Sequence, residues 1–145
     1  MLMEFWNNTS LLKRLYDRIM DPVAEQYGIT RMELDVLLFL ANNPGFDTAA
    51  DMIERRQLTK SHVSSSVKDL AERGWLERSY QDGNHKLIHL RVLPAAEKIV
   101  AAGHQAQREF AEAIFRGFTE EDKERMGGFQ QRMADNIRFA IRERS

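Results

Sequence analysis

Residues 58–78 read LTKSHVSSSVKDLAERGWLER, and this stretch decides the predicted fold. Apolar residues recur in it at helical spacing, which predicts a helix over 60–73 that Thr59 caps and Gly74 ends. The apolar residues that share the inner face of this helix are Val63, Val67, Leu70 and Ala71. Directly after Gly74 the pattern changes from helical to alternating, which predicts a strand over 75–80. This stretch therefore predicts a helix that is followed directly by a strand.

A shorter helix precedes this pair of elements. The pattern over 48–56 predicts a helix that Asp47 caps. Its inward residues are Ala49, Ala50, Met52 and Ile53. Only Gln57-Leu58-Thr59 separates it from the next helix, and two short helices joined by such a turn are typical of a helix-turn-helix.

A second strand is predicted over 86–92, where Ile88, Leu90 and Val92 alternate with polar residues. The turn between the strands contains Asp82-Gly83, which favours a hairpin because glycine accepts the positive φ that the turn requires. A helix-turn-helix followed by a hairpin predicts a winged helix, with the hairpin as its wing.

Further helices are predicted over 4–27, 31–42, 95–116 and 120–144. The helix over 31–42 starts with a capping box formed by Thr30 and Glu33 and is apolar nearly all round, which predicts a buried central helix. The predicted fold class is mainly α: a winged helix-turn-helix with a two-stranded β wing and long terminal dimerisation helices.

The terminal helices carry full apolar stripes although they flank a domain that already has a core. They can fold back on that core, or they can pair with a second copy of the chain, and we favour a homodimer. The predicted interface residues are Leu12, Leu15, Ile19, Phe129, Met133 and Ile137.

Composition narrows the classes of function. The absence of cysteine excludes disulfides, thiol nucleophiles and thiol-based redox sensing. No apolar run approaches the roughly 20 residues of a membrane span, and no secretion signal is recognisable, so we expect a cytoplasmic protein. The net charge is −1, but residues 55–91 carry eight basic and four acidic side chains. This basic middle indicates either an anion-binding surface or ordinary variation over solvated faces.

The outward face of the helix over 60–73 has the chemistry of a DNA-reading surface. It carries short hydroxyl side chains, which allow close approach to phosphates and base edges, together with lysines. The tip of the hairpin adds polar and basic residues that can enter a minor groove. The candidate DNA-binding residues are Lys60, Ser61, His62, Ser64, Ser65, Lys68, Asn84, His85 and Lys86. We expect double-stranded DNA as a partner, and one domain over 1–145 with a DNA-binding lobe at 30–93 and a dimerisation region at 1–28 and 95–145.

The order of elements resembles the MarR family of bacterial winged helix-turn-helix transcriptional regulators over nearly the whole chain. Residues 58–64 and 70–78 look like the family's recognition helix running into its first wing strand, and 118–122 resembles the start of its last helix. The resemblance implies a dimer that reads a pseudo-palindrome, and it leaves room for a small-molecule effector between the helical stalk and the DNA lobe. Residues that could line an effector site, or that serve as ordinary packing, are Trp6, Tyr16 and Phe39.

The sequence departs from the family pattern at three places. Asn84-His85-Lys86 stands where the family commonly has Asp-x-Arg, so the bracing carboxylate and the forked guanidinium are both missing. Ser65 replaces an arginine that many relatives carry, and Pro94-Ala95-Ala96 replaces Thr-x-x-Gly. These changes leave the fold prediction intact and bear on the strength and sequence preference of DNA binding.

Other classes of function fit the sequence less well. The chain lacks a Gly-rich phosphate loop, an H-E-x-x-H pattern and a G-x-S-x-G elbow, so we predict no enzyme, no catalytic residues and no cofactor. A metal-responsive regulator would use the four histidines, His62, His85, His89 and His104, but their spacing is not that of a metal site, and no metal ligands are predicted. A winged-helix module that binds proteins instead of DNA stays open as an alternative.

Overall fold

The computed structural model describes residues 1–56, 58–81, 83 and 86–145. Its elements in chain order are α1 (Leu2–Gln26), α2 (Arg31–Asn42), α3 (Ala49–Arg56), α4 (Lys60–Glu72), β1 (Leu76–Ser79), β2 (His89–Val92), a 3-10 turn (Pro94–Ala96), α5 (Glu97–Ile114) and α6 (Glu120–Glu143). The predicted fold class is confirmed. The chain divides into two compact units, Met1–Phe110 and Ala111–Ser145, with the boundary inside α5.

The core of the first unit is built around α2. This helix buries residues on nearly all sides, as its sequence predicts, and it contacts α1, α4 and β2. The inner face of α4 and the base of the wing complete the core with Val63, Val67, Leu70, Leu76 and Leu90. Each such side chain contributes about 1.5–3 kcal/mol when it is fully removed from water. The core therefore fixes which face of α4 points outward.

The helix starts follow local capping chemistry, with one correction. The predicted box at α2 is present: the Thr30 hydroxyl accepts from the Glu33 N–H, and Glu33 Oε1 accepts from the Thr30 N–H, both at 3.0 Å. At α3 the prediction that Asp47 is the cap was wrong. Thr48 caps this helix, since its hydroxyl accepts from the Asp51 N–H at 3.1 Å and donates to Asp51 Oδ2 at 2.8 Å.

Asp47 serves a different purpose, which tertiary packing determines. Its carbonyl accepts from the Leu90 N–H at 2.7 Å, and its carboxylate lies 3.1 Å from His89 Nδ1. Thr48 also forms an isolated antiparallel bridge with His89. The segment before α3 is thus joined to β2, and the wing is anchored to the helix-turn-helix.

The wing is a two-stranded antiparallel hairpin. Leu76 pairs with Val92 and Ser79 with His89, so the paired strands are shorter than predicted. Gly83 has a φ of 69°, which confirms the positive φ expected in the turn. Asn84 and His85, the predicted wing-tip contacts, lie outside the described residues.

The second unit contains the end of α5 and all of α6. A capping box starts α6, where the Thr119 hydroxyl accepts from the Asp122 N–H at 3.0 Å. Phe115 and Phe118 pack edge to face with ring centroids 5.5 Å apart. In α6, every residue of which is described, no residue is buried.

Candidate nucleic-acid interface

Helix α4 has one buried and one exposed face. Val63, Ser66, Val67 and Leu70 are buried. The exposed side chains on its other sides include all six candidate DNA contacts in this helix: Lys60, Ser61, His62, Ser64, Ser65 and Lys68. These residues therefore form one continuous, small and polar surface, which we call the reading face. Sequence periodicity alone was sufficient to find it.

The positive charge of the middle segment is partly used inside the lobe. The Arg55 guanidinium lies over the Phe46 ring at 3.6 Å, and Arg91 forms an ion pair with Glu77 at 3.0 Å. Arg73 donates to the Gly28 carbonyl at 3.0 Å. Cationic side chains that the fold leaves exposed on α4 and β1 are Lys60, Lys68 and Arg78. Three of the eight basic side chains thus make contacts within the lobe.

The three histidines that the structure describes have different environments. His62 is exposed on the reading face, whereas His89 is bound to Asp47. His104 Nε2 lies 2.7 Å from Asn42 Oδ1, and His85 lies outside the described residues. Within the part of the chain that is described, no group of three or more His, Cys, Asp or Glu side chains is placed to hold a metal ion.

A cavity of about 320 Å³ lies between α1, α2, α3 and α5 within the first unit. It is lined by Tyr16, Asp35, Leu38, Phe39, Asn42, Asn43, Phe46, Arg55, Arg56 and Gln107, and we call it the inter-helix cavity. Two of the three aromatic residues proposed for an effector site therefore meet there, whereas Trp6 is exposed near the start of α1 and does not line it. Tyr16, Arg55, Arg56 and Gln107 come to this cavity from helices other than α2, and no local pattern predicts that they meet there.

Hydrogen bonds between polar side chains join the helices that line this cavity. Gln107 Nε2 donates to the Tyr16 hydroxyl at 2.9 Å, and Asn42 Nδ2 donates to Gln107 Oε1 at 3.2 Å. Burial raises the pKa of Asp35, although the charge of Arg31 and a hydrogen bond from it act against the rise. Burial would lower the pKa of Arg31, but the charge of Asp35 and hydrogen bonds to Asp21, Asp35 and Asp17 together raise it. The cavity thus presents Arg55 and Arg56 beside Asp35, whose carboxylate accepts a hydrogen bond from Arg31 Nε at 3.0 Å.

A family model described as MarR family matches residues 27–86, which span α2 to the wing. Over this segment the chain is similar to the MarR family, whose members are transcriptional regulators and not enzymes. The matched segment contains α4 and its reading face, so the match falls on the surface described above.

Individual relatives of this protein are distant in sequence and similar in fold. PecS of Dickeya dadantii (strain 3937), an HTH-type transcriptional regulator, is 22% identical over 116 residues, which are 79% of this chain and 70% of PecS. A MarR family transcriptional regulator from Listeria monocytogenes, solved with a 26mer DNA, has a TM-score of 0.80 at 14% identity, covering 91% of this chain and 87% of the other. Staphylococcus aureus MarR, solved with salicylate and kanamycin, has a TM-score of 0.73 at 14% identity, covering 93% and 91%. At these identities the likeness of the structures shows a shared fold.

The helices at both ends of this chain expose large apolar side chains. In α1 the exposed fraction of Leu12 is 46%, whereas Leu15 and Ile19 are only partly exposed and Ile19 packs against the core. In α6 the exposed fractions of Phe129, Met133 and Ile137 are 61%, 43% and 54%. Further large apolar residues that are exposed in the same two helices were not among the predicted interface residues: Leu2, Met3, Phe5, Trp6, Leu11, Phe139 and Ile141.

A membrane-spanning helix must be both long and strongly apolar. Among the residues that the structure describes, no helix combines the length and the apolar character needed to cross a bilayer.

Proposed function

We propose that this protein is a homodimeric regulator that binds pseudo-palindromic sites in double-stranded DNA. The reading face of α4 carries this proposal, because it is exposed, free of large apolar residues and held in place by a buried opposite face. Each subunit would insert α4 into a major groove, where the first turns of such a helix meet base edges. Lys86, with Asn84 and His85, would contact the adjacent minor groove. In this assignment residues 30–93 form the DNA-binding lobe of a single MarR-like domain.

Dimerisation is supported by the apolar side chains that the single chain leaves in water. A helix such as α6, with a full apolar stripe and no buried residue, gains stability only when a partner covers that stripe. A second copy of the chain is a partner that is always present, and a two-fold axis would also match a pseudo-palindrome. We assign residues 1–28 and 95–145 to this role.

Control by a small anionic effector in the inter-helix cavity is the second part of the proposal. Arg55 and Arg56 line this cavity and belong to α3, the first helix of the helix-turn-helix, so a ligand bound to them would bias the position of α3. Arginine suits a carboxylate because its guanidinium can donate two parallel hydrogen bonds. The Staphylococcus aureus relative was solved with salicylate, an aromatic anion, which supports this class of ligand.

A salt titration tests DNA binding. Affinity for a duplex carrying a site selected by this protein is measured by fluorescence anisotropy at several salt concentrations. A DNA-binding regulator loses affinity steeply with salt, and Lys68→Ala lowers the slope by about one unit for each phosphate that the lysine neutralises. Lys98→Ala, which changes an exposed lysine of α5, is the matched control and leaves the slope unchanged. Affinity that does not depend on salt would favour the protein-binding module instead.

Calorimetry tests the effector. Salicylate is titrated into the wild type and into Arg56→Gln, which removes a guanidinium from the inter-helix cavity and leaves α4 unchanged. We expect the variant to bind salicylate about tenfold more weakly or worse, as the loss of a charged hydrogen bond requires. Arg142→Gln, at an exposed position in the last turn of α6, serves as the control, and equal affinities for all three proteins would remove this cavity from the proposal.

A further inference from the structure

A second cavity, also of about 320 Å³, opens beside α4 between that helix and the first turn of α2. Met32 and Glu33 line it from α2, and His62, Ser65, Ser66 and Asp69 line it from α4. It shares no lining residue with the inter-helix cavity, and we call it the reading-helix cavity. Its exposed lining residues include His62 and Ser65 of the reading face, so the cavity adjoins the proposed DNA surface.

Glu33 has an unsatisfied oxygen at this place. Its exposed fraction is 3%, and its Oε1 is occupied by the Thr30 N–H of the capping box. Its Oε2 is buried and, among the described residues, has no hydrogen-bond partner. Leaving a buried acceptor unpaired is costly, and more so when the group is charged. Glu33 also lines the cavity, so a small rotation of its side chain would bring this oxygen to a donor supplied by a bound molecule and remove this cost.

The charges around the cavity select the kind of donor. Of its lining side chains, Glu33 and Asp69 are carboxylic acids, none is lysine or arginine, and only His62 can carry a positive charge. The hydroxyls of Ser65 and Ser66 can accept hydrogen bonds, whereas Met32 supplies apolar surface suited to an aromatic ring. A cation with a small apolar body fits this lining, and an anion does not.

We propose that the reading-helix cavity binds a small organic monocation, an ammonium group on an apolar body, whose N–H groups donate to Glu33 Oε2 and Asp69. A molecule held there lies against His62 and Ser65 and lowers the affinity of α4 for DNA; this consequence, unlike the binding itself, rests on the proposed function. The site would give the protein a response to amines that is separate from the anion response of the inter-helix cavity.

Binding is tested without DNA, on the full chain, with benzylamine as the probe. Benzyl alcohol and benzoate have nearly the same shape and differ in charge, so we expect saturable calorimetric binding of benzylamine alone. Amide NMR shifts should be largest for the residues that line the reading-helix cavity. Absence of saturable benzylamine binding, or equal binding of benzoate or benzyl alcohol, overturns the proposal.

Variants identify the binding group. Glu33→Gln keeps an amide oxygen for the capping box and removes the charge, so we expect the affinity for benzylamine to fall about tenfold or more. Asp69→Asn should weaken binding too, and it decides the question if circular dichroism finds that Glu33→Gln is not folded. Glu72→Gln changes an exposed acid of α4 that does not line the cavity, and it should bind like the wild type. Wild-type affinity in both Glu33→Gln and Asp69→Asn would contradict the assignment.

The link to DNA is measured separately. Benzylamine should displace the duplex from the wild type and not from Glu33→Gln at the same ionic strength, which corrects for binding of the amine to DNA itself. If benzylamine binds the cavity but does not affect DNA affinity, the amine site stands and the assignment of α4 as the reading helix is wrong.

Discussion

Ser65 is the residue at which this chain departs most directly from the family pattern in its capacity to read bases. Its side chain is exposed on the reading face and is too short to reach far into a groove. A serine can therefore bond a base only at close range or through a water molecule. Arginine at the same place could reach guanine with two hydrogen bonds, which discriminate by about 1–3 kcal/mol.

We predict that Ser65→Arg changes the preferred half-site instead of only weakening binding. The check is selection of bound sequences from a random duplex pool with the wild type and the variant. A guanine newly preferred at one position of each half-site is the expected result. The same motif for both proteins would remove Ser65 from the reading face.

His62 precedes Ser65 by one turn and is exposed on the same face. Its ring can donate to a guanine acceptor, so His62→Ala should relax the preference at one position of each half-site. The same selection experiment measures this as lower information content at that position. Glu72→Gln, near the end of α4, is the control and should leave the motif unchanged; a motif unaltered by His62→Ala would contradict the contact.

At the scale of elements, the two helices of the helix-turn-helix start differently. Thr48 gives α3 a capping box with Asp51, whereas Thr59 occupies the N-cap of α4 and, among the described residues, makes no side-chain capping bond. The prediction that Thr59 is the N-cap residue of α4 is confirmed, but the side-chain bond that a cap usually makes is absent among the described residues. The stability of α3 should therefore depend on its cap more strongly than that of α4.

Thr48→Ala should lower the free energy of unfolding by about 1 kcal/mol, the usual cost of removing an N-cap. Thr59→Ala is the matched control, with the same chemical change at a position that makes no capping bond, and its cost should be clearly smaller. Urea unfolding followed by circular dichroism measures both. Equal costs would show that the hydroxyl of Thr48 contributes no capping energy.

The wing is the other element that bears on binding. Lys86 is exposed in the hairpin, and its charge is suited to a narrow groove with negative potential. Lys86→Ala should weaken binding to all duplexes and lower the salt slope by about one unit for each phosphate that the lysine neutralises, or two per dimer. Affinity and slope that match the wild type in an anisotropy titration would mean that the wing does not touch DNA.

For the whole molecule the decisive matter is what covers the exposed apolar stripe of α6. A carboxylate placed in a buried interface without a partner costs several kcal/mol. Met133→Glu should therefore raise the dissociation constant of the dimer about a hundredfold or more, as measured by light scattering across a dilution series.

The control for this change is Gln131→Glu, which adds the same carboxylate on nearly the opposite side of α6 and should leave the dimer intact. A Met133→Glu protein that is folded and dimeric at wild-type concentrations would exclude this stripe from the interface. Both variants can be compared by circular dichroism to separate loss of the dimer from loss of the fold.

The order and nature of the elements, and the face of α4 that is exposed, follow from the sequence alone. Capping boxes such as Thr30 with Glu33, the apolar period of α4 and the turn glycine Gly83 act over only a few residues. Signals of this range can be interpreted without a fold, because the groups that interact are already neighbours along the chain. The same reasoning identified the residues of the reading face, which lie between Lys60 and Lys68, as one polar surface.

Contacts between residues far apart in sequence were decided by tertiary structure. Asp47 is a residue type that often caps helices, yet it binds His89, 42 residues away, because β2 packs beside it. Glu33 fulfils its predicted capping role, but its second oxygen is buried without a partner among the described residues, and Glu33 lines a cavity together with residues of α4. Partners of this kind are chosen by the packing of whole helices and strands, which brings together groups that no short stretch of sequence relates.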